Sequence, residues 1–182
     1  ALTEARKALE HDPLSPLFNS YMGYLFHAMR EYDLAIARQR QAIELDPNYY
    51  IPHYLLSNTF SQKGLLGEAI AAAEKAGALS GRSSGALGTL GRIYAMAGRT
   101  FEARQLLEEL KARRRVSYVP PTVIGHIHLG LGELDQAMQC YAMAIEEHDP
   151  VVIIALKTDP GYDPLRSHPT FQGLLRKMNL EP

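Results

Sequence analysis

The sequence predicts an all-α solenoid, a stack of helix–turn–helix repeats closed at its C-terminal end by capping helices. Three observations predict it. Shifting the chain against itself by 34 residues produces an invariant column, Ala1, Ala35, Ala69, Ala103 and Ala137. The same shift aligns Gly23, Ser57, Gly91 and Gly125, and also Phe26, Phe60, Tyr94 and His128, with no insertion from Ala1 to Asp149. Within each period the apolar residues fall on two helical stripes separated by a short turn. A fixed period of this length marks units that bury their apolar faces only by stacking on neighbours.

Residues 1–15 read as the second helix of a truncated repeat, because Ala1 already stands in the alanine column. The chain is therefore expected to be part of a longer protein. Four repeats follow, at 16–49, 50–83, 84–117 and 118–149. In the first, Met22, Gly23 and Phe26 form one stripe, "REYD" makes the turn, and Ala35, Ile36, Gln39, Ala42 and Ile43 form the second stripe. Gly64, Gly98 and Gly132 stand where first helices end, a place that favours a left-handed residue. Pro16, Pro52 and Pro120 fall near the starts of first helices, where a missing N–H costs little. The alanine and glycine columns allow close helix crossing, and Phe26, Phe60 and Tyr94 are the knobs that fill the neighbouring hollow.

The capping segment is 150–182. Asp149 reads as the N-cap and Pro150 as the first residue of a short apolar helix. Asp159–Pro160 and Asp163–Pro164 read as consecutive turns, and His168–Pro169 as a third. Phe171, Leu174, Leu175 and Met178 then recur at helical spacing as an apolar stripe. The exposed face of a last repeat needs such a cover.

The repeats resemble the tetratricopeptide repeat (TPR) family, whose period is W-x₂-L-G-x₂-Y, then A, then an aromatic, then P. The residues that carry the resemblance are "MGYLF" at Met22 to Phe26 with Ala35 and Pro47, "LGRIY" at Leu90 to Tyr94, and "GELDQA" at Gly132 to Ala137. It covers about residues 1–149. The tryptophan column departs from the pattern, holding Asn19, His53, Leu87 and Pro121. The second-helix aromatic column also departs, with Gln39, Ala73 and Leu107 before Tyr141 conforms, which suggests looser packing. The tail from Leu156 to Leu180 resembles the C-terminal end of TPR regions in bacterial multidomain regulators.

The resemblance implies a concave groove lined by the sides of the first helices that face away from the core of each repeat. Its candidate ligand-binding residues are Ser20, Tyr24 and His27, then Tyr54, Asn58 and Ser61, then Arg92, Met96 and His126. Tyr, Met and Arg are enriched at interface cores. Asn58 suits a ligand backbone amide and Arg92 a carboxylate. The expected partner is a protein or peptide, held by a non-catalytic scaffold that forms the interaction or sensory part of a larger bacterial regulatory protein. The alternative is a self-association module that makes a homo-oligomer. A chaperone-tail clamp is disfavoured, because Ser20, Tyr24, Leu55, Gly85 and Thr89 stand where that subclass carries lysine, asparagine and arginine.

Composition and motifs exclude other classes. A hydrophobic share of 46% with 21% charged residues is that of a globular chain, and a formal charge of -1 gives no attraction to nucleic acid or an anionic membrane. The longest apolar stretch, Val151 to Leu156, is far too short to span a bilayer. The opening "ALTEARKALE" lacks the basic and apolar parts of a signal peptide, and Cys140 is the single cysteine, so a cytoplasmic location is expected. His126 and His128 of "HIH" point about 200° apart on a helix and do not chelate one ion. "KARRR" at Lys111 to Arg115 reads as a solvated helix C-terminus, and "GRSSG" at Gly81 to Gly85 lacks the lysine of a phosphate loop. No nucleophile–base pair, carboxylate dyad or metal cluster emerges, so no enzyme, cofactor or metal is expected.

Overall fold

The computed structural model describes residues 1–149 and 155–180. Among these the regular structure is entirely helical, and it divides into two compact units, residues 1–82 and 83–182. The first unit holds α1 (Leu2–His11), α2 (Pro16–Ala28), α3 (Tyr32–Leu45), α4 (Tyr50–Gln62) and α5 (Leu66–Leu79). The second holds α6 (Ser84–Met96), α7 (Thr100–Arg114), α8 (Pro121–Gly130), α9 (Leu134–Glu146), a 3-10 helix (Pro160–Leu165) and α10 (Pro169–Lys177).

The pairs α2–α3, α4–α5, α6–α7 and α8–α9 are the helical hairpins that the period predicts. Their inner seams are built on the alanine column: Ala35, Ala69, Ala103 and Ala137 are all completely buried. Gly125 shows why the opposing column is small. A Cβ there would stand 2.8 Å from Tyr141 Cε1, so any side chain would push α8 and α9 apart.

Each first helix ends in the same hydrogen-bonded turn. The N–H groups of Glu31, Leu65, Arg99 and Glu133 reach back to the carbonyls of Phe26, Phe60, Tyr94 and His128 at 2.8–3.0 Å. This closure needs a left-handed residue just before the reaching N–H. Gly64, Gly98 and Gly132 supply it at φ 74°, 75° and 75°, while Arg30 adopts φ 64° in the first repeat despite its side chain. Gly81 and His148 do the same after second helices, at φ 62° and 56°, with the N–H groups of Arg82 and Asp149 reaching back to the carbonyls of Gly77 and Ala144.

The substituted columns are filled rather than empty. Asn19, in the tryptophan column, is completely buried, and its amide donates to the carbonyls of Pro13 and Ser15 at 3.1 and 3.0 Å. Gln39, in the second-helix aromatic column, is equally buried and donates to the carbonyl of Ser20 at 2.9 Å. The buried amide N–H groups of both residues are thus bonded to backbone carbonyls, while Gln39 Oε1 has no partner among the described residues.

In the tail, the expected apolar helix from Pro150 falls on 150–154, outside the described residues. Asp149 is fully buried, and its carboxylate accepts from the backbone N–H of Thr122 at 3.4 Å and from the Thr122 hydroxyl, so it caps the start of α8. The two expected Asp-Pro turns are in fact one 3-10 helix. Asp159 caps it by accepting from Gly161 N–H at 2.7 Å, and Pro164 lies inside it, leaving the Gly161 carbonyl without its i→i+3 donor. His168 caps α10, its Nδ1 accepting from Thr170 N–H at 3.3 Å. Phe171, Leu174 and Leu175 are buried in one cluster with Ala137, Met138, Tyr141 and Ala144 of α9, and Met178 packs at its margin.

Candidate functional site

In the first unit, α2 and α4 lie side by side, and the sequence-named residues divide by depth. Ser20 is buried at the helix interface. His27 is also buried, with Nδ1 3.0 Å from the Thr59 hydroxyl of α4. That hydroxyl donates to the carbonyl of Leu55 at 3.0 Å, so it receives the bond from a His27 protonated at Nδ1. Ser61 is buried and bonds the carbonyl of Asn58 at 2.8 Å. His27 ties α2 to α4 and Ser61 satisfies its own helix, while the buried Ser20 hydroxyl has no hydrogen-bond partner among the described residues. Tyr24, Tyr54 and Asn58 remain half-buried. Beside them Leu17 and Tyr21 are 56% and 46% exposed, and Tyr21 stacks on Tyr24 with ring centroids 6.5 Å apart. The accessible face of this unit is thus aromatic and aliphatic, with one amide on it.

In the second unit the equivalent positions are Arg92 on α6 and His126 on α8, 34 residues apart. Arg92 is buried and His126 half-buried. His126 Nε2 lies 2.9 Å from the Tyr162 hydroxyl, and the rings are 5.7 Å apart. Burial, helped by the Arg92 charge and opposed by Asp159, lowers the His126 pKa to about 4, so the ring is neutral at physiological pH. Tyr162 also meets Tyr141 edge-on at 5.4 Å and stacks on Phe171 at 6.2 Å. Burial pushes the Tyr141 phenol up, and its hydroxyl has no hydrogen-bond partner among the described residues. Met96, at the end of α6, is 40% exposed.

The motifs weighed from sequence sit in structural roles. His128 turns away from His126 to pair with Glu133, Nδ1 to Oε2 2.5 Å. Arg104 reaches the same carboxylate at 2.6 Å. In "KARRR", Lys111 pairs with Glu108 at 3.2 Å, Arg113 with Glu109 at 2.6 Å, and Arg114 with Glu147 and the carbonyl of Val119. Burial raises the Cys140 thiol pKa, so the cysteine is not activated. Sequence reasoning did not place residues 159–162 against Arg92 and His126. The only signal was "DPGY" itself, a turn sequence with a tyrosine attached.

The first unit carries one further hollow. A cavity of about 440 Å³ opens between α1, α2 and α3, lined by Leu9, Met22 and Phe26 with Arg6, Glu10 and Arg38 around them.

The family pattern described as "Tetratricopeptide repeat" matches residues 22–49 and 122–147. Among solved structures the chain is similar to a thermophilic TPR protein of Thermus thermophilus, with 22% identity, a TM-score of 0.64, and 82% of this chain and 81% of that one covered. It is also similar to YrrB, described as a TPR protein with an unusual peptide-binding site, with 21% identity, a TM-score of 0.56, and 98% and 92% covered. MamA matches at 21% identity and a TM-score of 0.54 over 82% of this chain and 87% of its own. No curated protein matches the sequence. Two segments of the chain match the tetratricopeptide repeat pattern, and the chain has the fold of proteins built from such repeats.

Proposed function

We propose that the chain is a non-catalytic scaffold that holds a protein or peptide on the exposed sides of its first helices, as the interaction or sensory part of a larger bacterial regulatory protein. The observation that carries this reading is the face of α2 and α4. There Tyr21, Tyr24 and Tyr54 leave apolar ring surface accessible beside the Asn58 amide. Rigid aromatics next to a polar group are the composition of interface hot spots, because they bury large area while losing few rotamers. The likeness to YrrB supports a peptide as the ligand type. A random peptide library displayed on phage and selected on the full chain tests the reading. Peptides whose binding falls at least ten-fold with Tyr54→Ala, at unchanged helicity, are expected. Selection of no peptide, or of peptides indifferent to Tyr54→Ala and Tyr24→Ala, would sink it.

The hollow between α1, α2 and α3 favours self-association as the second reading, since it leaves Met22 and Phe26 lining an open cavity. Light scattering across a hundred-fold concentration range separates the two: a concentration-independent monomer removes self-association.

A further inference from the structure

The 3-10 helix of the tail does more than cover the last repeat. Covering α9 requires only apolar contacts, and Phe171, Leu174, Leu175 and Leu165 provide them together with the ring of Tyr162. Residues 159–162 go further, to the ligand-facing sides of two successive first helices. Gly161 lies against the guanidinium of Arg92 on α6, so close that a Cβ on it would sit 2.9 Å from Nη1. Tyr162 places its hydroxyl 2.9 Å from His126 Nε2 on α8. Asp159, whose carboxylate holds the turn through Gly161 N–H, lies near enough to influence His126 in opposition to Arg92. Arg92 and His126 occupy one position in consecutive repeats, the same one that Tyr24 and Asn58 hold in the first unit.

We propose that the segment Asp159–Leu165 is an intramolecular ligand: it occupies the binding face of α6 and α8, and the external partner of that face is a peptide of the same chemistry. This rests on the peptide-binding reading above and names its ligand for the second unit. Such a peptide carries an aspartate-capped Pro-Gly turn followed directly by a tyrosine. The turn lets backbone approach Arg92 where a side chain would obstruct, and the phenol meets the neutral imidazole of His126. Because the tail is covalently attached, it competes at high effective concentration, and an external peptide binds only as the tail yields. The face is therefore gated by its own chain.

The probe is a fluorescently labelled synthetic peptide with the sequence of residues 158–168, added to the full chain and followed by anisotropy. The unaltered chain is expected to bind it weakly. Tyr162→Ala weakens the tail in cis and should tighten probe binding at least ten-fold, and adding Arg92→Ala should remove that gain. Tyr162→Phe keeps the ring packing and loses only the bond to His126; it should tighten binding several-fold and covers the case in which Tyr162→Ala fails to fold. Equal probe affinity in the unaltered chain and in Tyr162→Phe overturns the proposal. If library peptides still bind in a Tyr54-dependent way, the general binding reading stands and only the tail proposal falls. Absence of both kinds of binding overturns both.

Discussion

At the residue scale, the turn glycines make the plainest prediction. A Cβ at Gly98 would meet nothing within 4 Å, so Gly98→Ala carries a backbone penalty alone. Its φ of 75° is expected to cost about 1–2 kcal/mol, read as a lower urea midpoint with unchanged slope. His126 gives a pH dependence. Its folded pKa of about 4 lies below the ordinary 6.5, so the unfolded chain binds the proton more readily. The stability it contributes is fully present above pH 6.5 and is lost as pH falls toward 4, by roughly 2–3 kcal/mol for this half-buried ring. Chemical denaturation at pH 7 and pH 4.5 should show the loss, and His126→Gln should flatten it. Periodicity made the glycine turns legible because the 34-residue frame repeats Gly64, Gly98 and Gly132. It did not reveal Arg30 or His148 in left-handed geometry, since there the closing hydrogen bond, not the residue type, sets the conformation.

At the element scale, the direction of a helix face was legible and its accessibility was not. Helical spacing places Ser20, His27 and Ser61 off the stripe that carries Met22, Gly23 and Phe26 or their equivalents, yet all three are buried. The adjacent first helix nonetheless approaches closely enough for His27 to bond Thr59, and this distance is not encoded in either helix alone. The tail was legible as a cover because α10 carries an apolar stripe at i, i+3 and i+4. Phe171 is completely buried in the cluster it forms with α9, so Phe171→Ala should cost about 3 kcal/mol or more by denaturant unfolding. Deleting residues 159–182 should expose Met138 and Tyr141 and make the chain aggregate. A truncated chain that stays monodisperse with the same Tm would remove the covering role.

At the scale of the whole molecule, the strict 34-residue frame identified the architecture without any single strong motif. Substitutions at the tryptophan and aromatic columns were absorbed locally, by Asn19 bonding backbone carbonyls and Gln39 bonding Ser20, so the frame survived the loss of its signature residues. The contacts of Asp149 with Thr122 and of Gly161 with Arg92 were invisible to it, because they join a repeat to residues at its end or outside it. With a formal charge of -1 the chain has little long-range repulsion, so salt should change its association only slightly. An assembly that dissolves between 0.05 and 0.5 M salt, roughly, would show that local ion pairs hold it instead.

The aromatic cluster in the second unit also gives the protein an optical reporter of its own. The chain contains no tryptophan and 10 tyrosines, so near-ultraviolet dichroism above the phenylalanine bands comes from tyrosine. Tyr141 and Tyr162 are both buried and meet edge-on at 5.4 Å, a fixed, asymmetric coupling of two chromophores. Seating and release of the tail are therefore expected to change the dichroism near 280 nm, roughly, while the far-ultraviolet helix signal stays nearly constant.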